Sequence, residues 1–377
     1  MMAGSVTEAW KMKINRLAIF LCFCFLFGGD IDQRLNIAGK NKKEIERAMR
    51  AVPKSQRMGM EWLIKHMPDE DLKTVSSGFL LDNCDLAYKA WKKSSWGSDI
   101  PESIFFEYVL PFASLNEKRE SWRKDFFNRF SAVTKNAASP YEAAAILNNK
   151  MFEMVGVKYS TERPKADQSP YESMDAGQAS CTGLSILLID ACRSIGVPAR
   201  FVGTPLWYNN SGNHSWVEVW DGGWHFTGAA EPTGDELNNV WFSGLARRAV
   251  AGHPKYGIYA ATWAVTGLHF PMEWLPEEKD YNAVDVTQNY MKDIDDSLVP
   301  IRIRAIDSKG KRKPVTVVVT GADDFSFEGT SKSEACDFND HLTLMLPRGK
   351  DFIIKTAHDE RKISIQKEEI VDLKILD

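Results

Sequence analysis

The sequence predicts an α+β protein in which three regions follow one another along the chain. Helical patterns fill residues from about 38 to 150, a mixed stretch of strands and one further helix extends to about 290, and short strands fill the rest. This order of elements is typical of an α+β protein. The length of 377 residues is enough for two or three domains.

Prolines and capping residues delimit the predicted helices of the first region. A charged and periodic helix stops before Pro53, and Pro68 ends the next one. Ser139 is a good N-cap for a later helix that has Pro140 in its first turn. The helices predicted here cover 42–51, 59–66, 80–93, 102–112, 117–130 and 139–147.

The central region combines a helix that begins at Cys181 with three strands. Apolar residues recur at helical spacing over 184–195, and the helix stops before Pro198. Asp221–Gly222 is a strong hairpin signal between the last two strands. The predicted strands cover 199–203, 213–220 and 224–230.

Short strands separated by turns characterise the C-terminal region, and this pattern predicts a small β-sandwich. The predicted strands cover 299–305, 314–319, 342–346, 352–355 and 363–365. We therefore expect a helical N-terminal region at 30–149, a mixed core at 150–297 and a β-sandwich domain at 298–377.

The N-terminus has the features of an export signal. Lys11, Lys13 and Arg16 precede an apolar run over 17–27 that is too short to span a bilayer comfortably but fits a signal peptide. We expect residues 1–29 to be a signal peptide and the protein to be extracytoplasmic, whether periplasmic, cell-surface or secreted. The alternative is an uncleaved anchor or a buried helix, and membrane contact is expected only through this segment.

Composition and cysteine spacing exclude several classes of function. The formal net charge of −4 is close to balanced and gives no reason to expect a nucleic-acid partner. The cysteines beyond the apolar run show neither CxxC nor Cys/His metal spacing. We therefore expect no metal and no cofactor.

Cys181 and His214 are the candidate reactive pair. A thiol at a helix N-terminus is a candidate nucleophile because the helix dipole favours the thiolate, and a nearby histidine can take its proton. An unpaired cysteine is more often buried and inert, as we expect for Cys192 within the same helix. His214 also has a structural interpretation, as a strand histidine on a polar face.

Several motifs together resemble the transglutaminase-like superfamily, which includes transglutaminases, bacterial proteases and peptide N-glycanases. The motifs are Cys181-Thr182-Gly183 at a helix start, Gly196-Val197-Pro198-Ala199-Arg200, His214-Ser215-Trp216-Val217-Glu218-Val219 and Gly223-Trp224. The closing 224–231 stretch is most similar to the peptide N-glycanase version. The resemblance covers about 175–245 and implies a papain-like core with a Cys-His-Asp triad, in which Cys181 is the nucleophile and His214 the base.

The chain departs from this pattern at the third member of the triad. The resemblance places an aspartate four residues after Trp224, where this chain has Gly228. A two-residue hairpin turn would put Glu231 on the His214 face of the sheet, whereas a three-residue turn would put Gly228 there and no carboxylate. We favour Glu231 as the orienting residue over Glu218, and the alternative is a structural glutamate at a strand end.

Two further residues are candidates for binding the substrate. Gln178, together with the backbone N–H of Cys181, could stabilise a developing oxyanion, although it may equally be a polar loop residue. Trp216, with Trp220 and Trp224, could line a groove, although aromatic strand residues are more often part of the core.

These observations predict cysteine-dependent acyl chemistry on a peptide or glycopeptide amide bond, by a hydrolase or an acyltransferase. Hydrolysis is favoured over crosslinking, and the expected partner is a protein, peptide or glycopeptide substrate. The alternative, favoured by Gly228, is a catalytically weak or inactive module that binds protein or carbohydrate at the cell surface. A third interpretation is a structural envelope protein that uses the sandwich for adhesion.

Overall fold

The computed structural model describes residues 30–291, 295, 297–322 and 324–376. The predicted signal peptide at 1–29 lies outside these residues. In the part of the chain that is described, no helix combines the length and apolar character needed to cross a bilayer.

Helices dominate the first half of the chain, as the sequence predicted. The α-helices are α1 (30–38), α2 (Lys42–Ala51), α3 (Arg57–His66), α4 (Asp69–Thr74), α5 (Ser77–Lys93), α6 (Glu102–Tyr108), α7 (Arg123–Phe130), α8 (Pro140–Val155), α9 (Pro170–Ala176), α10 (Cys181–Ser194) and α11 (Ser243–Ala246). Short 3-10 helices cover Gly39–Asn41, Lys54–Gln56, Gly97–Asp99 and Thr287–Asn289.

Strands form four sheets. The strands are β1 (Lys158–Tyr159), β2 (Gln178–Ala179), β3 (Ala199–Thr204), β4 (His214–Trp220), β5 (Trp224–Thr227), β6 (Tyr259–Thr262), β7 (Asn282–Asp285), β8 (Leu298–Ile306), β9 (Thr316–Gly321), β10 (Ser326–Thr330), β11 (Leu342–Pro347), β12 (Asp351–Lys355), β13 (Glu360–Ser364) and β14 (Glu369–Lys374). The sheet orders are β1-β2, β5-β4-β3-β6-β7, β10-β9-β12-β13 and β11-β8-β14.

Local capping chemistry explains where the helices begin and end. The Ser139 hydroxyl accepts the N–H of Glu142 at the start of α8, and Gly156 ends that helix with a φ of 70°. The helix predicted over 117–130 begins only at Arg123. The reason is that the Glu117 carboxylate accepts the backbone N–H groups of the two residues at 114 and 115 and holds the chain in a turn.

Helix α10 is the centre of the core that carries the site. Every residue from Thr182 to Ser194 is buried, and the helix packs on β3, β4, α7 and α8. Its apolar side chains belong to one cluster that extends from Ile45 in α2 to Phe201 in β3. Because the helix is enclosed on all sides, its first residue is positioned rigidly.

The two C-terminal sheets bury a common apolar cluster of their own. It includes Ile301 from β8, Val319 from β9 and Ile354 from β12. The strands that face this cluster alternate buried and exposed residues, as expected for sheets with one face on a core. The loop between β10 and β11 leaves these sheets and reaches the central five-stranded sheet, where it contributes to the candidate site.

Candidate active site

Cys181 is the first residue of α10 and is half-buried, whereas the rest of the helix is enclosed. Ser180 is the N-cap, and its hydroxyl accepts the N–H of Gly183 at 3.2 Å. Gly177, with a φ of 63°, ends α9 and turns the chain into the short strand before the cap. The thiol therefore lies at an accessible helix start, where unpaired backbone N–H groups favour negative charge.

His214 is the first residue of β4 and pairs with Thr204 of β3. Its side chain is 1% exposed. The Cys181 sulfur, a His214 ring nitrogen and an Asp337 carboxylate oxygen all lie within 4.8 Å of one another. The fold thus brings together the two residues predicted as nucleophile and base, and adds a carboxylate that the sequence analysis missed.

Asp337 reaches the site from the loop between β10 and β11. Its Oδ2 lies 3.5 Å from Nδ1 of His214, and its side chain is 3% exposed. Its Oδ1 accepts the backbone N–H of Asn339 at 2.9 Å, which fixes the carboxylate. No local pattern in the sequence marks this residue, because the contact joins a loop of the C-terminal sheets to a distant strand.

Glu231 lies on the other side of the same ring. Its Oε2 is 3.6 Å from Nε2 of His214 and accepts the Trp241 indole N–H at 2.8 Å. The hairpin has the three-residue connection, with Trp220 paired to Trp224, and not the two-residue turn that would have put Glu231 on the His214 face. Glu231 approaches His214 for another reason, which is a turn after the end of β5.

That turn has a recognisable backbone signature. Strand β5 ends at Thr227, Ala230 adopts a φ of 63°, and the N–H of Glu231 donates to the carbonyl of Gly228 at 3.2 Å. A non-glycine residue with positive φ is uncommon and marks a tight reversal. The reversal redirects the Glu231 side chain toward the His214 ring, which strand parity alone could not predict.

The two carboxylates determine the charge of the imidazole. Burial lowers the pKa of His214, but the negative charges of Asp337 and Glu231 outweigh it and hold the pKa well above the ordinary value of 6.5. Burial raises the pKa of Asp337, but the neighbouring imidazolium outweighs it, so that pKa lies below its usual range. Both carboxylates therefore favour the protonated, imidazolium form of the ring.

Residues 129–228 match the model of the transglutaminase-like superfamily. The chain has a transglutaminase-like core. The matched segment contains Cys181 and His214 and ends at Gly228, so both carboxylates near the ring lie beyond it. No curated protein matches the chain.

Solved structures give weaker likenesses. A "putative cysteine protease" from Cytophaga hutchinsonii is 18% identical, with a TM-score of 0.28 over 35% of this chain and 44% of that one. A "putative protease" from Parabacteroides distasonis is 9% identical, with a TM-score of 0.26 over 63% and 36%. Red sea bream transglutaminase is 9% identical, with a TM-score of 0.32 over 73% and 66%. The chain spans less than half the length of the first two.

Aromatic rings surround the imidazole of the transglutaminase-like core. The ring centroid of His214 lies 4.9 Å from those of Trp241 and Phe242, and 6.0 Å from that of Trp216. Trp216 is completely buried and donates its indole N–H to the Tyr290 hydroxyl at 2.8 Å. Trp216 is therefore a core residue beneath the His214 ring, which was the alternative given for it, and does not line a groove.

Gln178 lies in β2 and is half-buried. Its side-chain amide donates to the backbone carbonyl of Glu162 at 3.1 Å, and its backbone carbonyl accepts from the Gln168 side-chain amide at 3.0 Å. These bonds tie it to the loop before α9. The oxyanion role proposed for Gln178 stays a prediction, and the backbone N–H of Cys181 is the donor that the helix start provides.

The side-chain types of this cluster also fit a metal. Cys181, His214 and Asp337 offer a sulfur, a nitrogen and an oxygen, which are the donor types that zinc binds. The same three groups in the same order are those of a thiol nucleophile, its base and an orienting carboxylate.

Glu218, the weaker alternative for orienting the histidine, has a different role. Its carboxylate is buried, forms an ion pair with Arg200 at 2.6 Å and accepts the Tyr290 hydroxyl at 2.5 Å. Both oxygens are thus engaged inside the sheet. Glu218 belongs to the framework under the site.

We expect Glu218→Gln to lower the free energy of unfolding by about 3 kcal/mol or more, because it leaves the buried Arg200 guanidinium without a counter-charge. The matched control is Glu46→Gln, which removes an exposed pair with Arg50 at 3.7 Å and should cost less than about 0.5 kcal/mol. Urea unfolding measures both. Equal losses in the two variants would contradict this assignment.

Gly228 has a specific packing reason to lack a side chain. A Cβ at this position would lie 2.0 Å from Oε2 of Glu231. The Glu231 carboxylate therefore fills the space beside position 228, where the family resemblance implies an aspartate. The glycine and the glutamate form a complementary pair.

We expect Gly228→Ala to destabilise the protein by about 1–3 kcal/mol because the added methyl group overlaps the Glu231 carboxylate. The same substitution in a Glu231→Ala background should cost much less, since the space is then free. Thermal unfolding of the four proteins in this cycle measures the coupling. Additive losses would contradict the complementarity.

Proposed function

We propose that the protein is an enzyme that uses the Cys181 thiolate for acyl chemistry on a peptide or glycopeptide amide bond. The observation that carries the proposal is a half-buried cysteine at a helix start, whose sulfur lies within 4.8 Å of a buried imidazole and a carboxylate. The match of residues 129–228 to the transglutaminase-like superfamily supports the same chemistry.

In the first half of the reaction, the Cys181 sulfur attacks the carbonyl carbon of the amide. A C–S bond forms, and the carbonyl electron pair moves to oxygen, near the N–H groups of the helix start. The intermediate then collapses and the C–N bond breaks. The leaving amine takes its proton from the His214 imidazolium, which leaves a thioester on Cys181 and a neutral ring.

In the second half, the neutral His214 accepts a proton from water or from an acceptor amine as that nucleophile attacks the thioester. The C–S bond breaks, and the product acid or new amide leaves. Asp337 and Glu231 hold the ring and stabilise the imidazolium that is present before the first half and forms again in the second. We favour water as the acceptor, as the sequence analysis did.

A binding module without catalysis is the competing function. Its main support was the glycine at position 228. Glu231 fills the space beside that glycine, and Asp337 adds a second carboxylate, so the absence of an aspartate there no longer argues against activity.

Location follows from the sequence alone. We propose that the protein acts outside the cytoplasm, because three basic residues precede an apolar run at the N-terminus. Cell fractionation of the full chain and N-terminal sequencing of the mature protein test this. A cytoplasmic protein with an intact N-terminus would overturn it.

Thiol labelling tests the proposed function. Iodoacetamide at about pH 6, followed by peptide mass spectrometry, should modify Cys181 at least about tenfold faster than Cys336, which is also half-buried. The buried Cys84 and Cys192 serve as internal blanks. Incubation with a peptide library should then trap a thioester on Cys181 alone. Equal labelling of Cys181 and Cys336 with no trapped acyl group would overturn the proposal.

A further inference from the structure

Asp337 lies in the loop between β10 and β11, where no strand pairing fixes it. Other contacts of this loop must therefore hold its carboxylate next to His214. The loop, residues 333–341, is organised around the guanidinium of Arg312, which is 7% exposed. Arg312 donates to the main-chain carbonyls of this loop, and these are the carbonyls of Cys336 at 3.0 Å, Asp337 at 3.1 Å, Phe338 at 3.4 Å and Asp340 at 2.9 Å.

Arg312 is itself fixed to the C-terminal sheets. It forms a β-bridge with Ile306, the last residue of β8. Arg312 also contacts Glu334, which lies in the loop itself. Its backbone N–H donates to the Glu334 carboxylate at 2.8 Å, and its side-chain Nε contacts the same oxygen at 3.4 Å. The guanidinium therefore connects the sheet framework to the loop.

The opposite side of the loop is bound to the transglutaminase-like core. The Asn339 amide donates to the carbonyl of Asn213, the neighbour of His214, at 3.0 Å. The N–H of Phe338 donates to the Tyr159 hydroxyl at 3.1 Å. Asp337 thus lies between the Arg312 guanidinium on one side and the core on the other.

We propose that Arg312 is a positioning residue of the active site, which acts through the loop to hold Asp337 at Nδ1 of His214. Its guanidinium contacts four main-chain carbonyl oxygens along one short stretch of the loop, besides the Glu334 carboxylate. A planar guanidinium with five N–H donors satisfies this pattern, and lysine, with three donors on a point charge, does not. This inference rests on the proposed function and assigns that site a dependence on the C-terminal sheets.

Arg312 could instead support only the stability of the C-terminal region. The two roles differ in how Arg312 couples to Asp337. If Arg312 acts through Asp337, replacing Arg312 should not lower the activity further in a variant that already lacks the Asp337 carboxylate. If it acts only on stability, its effect on activity is the same whether or not the carboxylate is present.

The test is a double-mutant cycle on the full chain with a hydrolysed peptide substrate. Arg312→Met should lower kcat/KM by about a hundredfold, and in an Asp337→Asn background it should add less than about twofold. Arg312→Lys should retain intermediate activity. The matched control is Arg304→Met on β8, which removes the partly exposed Asp372 pair at 2.7 and 2.8 Å and should leave kcat/KM unchanged.

A second measurement does not depend on turnover. Titration of the His214 ring, followed by NMR, should show that Arg312→Met lowers the midpoint as Asp337→Asn does, while Arg304→Met does not. The titratable groups that interact with this ring are Asp337, Glu231, Cys181 and Tyr159. Additive losses in the cycle, or an unchanged midpoint in folded Arg312→Met or Arg312→Lys, would overturn the inference. Failure of the proposed function would appear separately, as an inactive wild type whose His214 titration still responds to Arg312.

Discussion

Replacing Cys181 by alanine should lower the turnover of a peptide substrate by at least about a thousandfold, because no other group can form the acyl intermediate. Within the described part of the chain, the other cysteines are the buried Cys84 and Cys192 and the half-buried Cys336. The sulfur of Cys181 is the one that lies within 4.8 Å of His214 and Asp337. Steady-state hydrolysis of a peptide found in the trapping experiment measures the effect.

Cys336→Ala is the control for this substitution. Cys336 has the same half-buried character, and it precedes Asp337 directly, yet its side chain has no part in the proposed chemistry. We expect its activity and melting temperature to stay close to those of the wild type. If Cys181→Ala keeps more than about a tenth of the wild-type rate while folded, the nucleophile assignment is wrong.

The residues that the sequence located correctly carry local signals. Cys181 follows an N-cap serine and precedes a run of apolar residues with helical period, so its place at a helix start could be predicted. His214 opens a run of aromatic and β-branched residues that precedes a hairpin. Such signals depend on neighbours a few positions away, which is why sequence reasoning can read them.

The residues that it missed or misjudged depend on long-range contacts. Asp337 reaches His214 from a loop that is held by hydrogen bonds to Arg312 and to the carbonyl of Asn213. Neither contact produces a periodic pattern in the sequence. Glu231 was named, but through a hairpin register that the structure does not have. Trp216 was named as a groove candidate with the core as the alternative, and only tertiary packing decides that it is buried.

Asp337→Asn should lower kcat by about a hundredfold to ten-thousandfold, because the amide cannot stabilise the imidazolium that protonates the leaving amine. Glu231→Gln should cost less, since that side chain is 16% exposed and is also bound to Trp241, whereas Asp337 is 3% exposed. Kinetics with one peptide substrate compare the two variants. Equal losses would contradict this ranking, and a larger loss for Glu231→Gln would identify Glu231 as the main orienting carboxylate.

The pH dependence of Asp337→Asn has a defined sign. The leaving amine needs the imidazolium, so activity falls as pH rises through the pKa of His214, which the two carboxylates hold well above 6.5. Without Asp337 that pKa falls, and the alkaline limb of the rate profile should move to lower pH. Stability follows the same linkage: a raised pKa contributes stability that is fully present below the unfolded value of about 6.5 and is lost as pH rises through the folded value. The difference in stability between the wild type and the variant should therefore be largest near about pH 6 and smallest at alkaline pH. A difference that widens toward alkaline pH would contradict the pairing of Asp337 with the imidazolium.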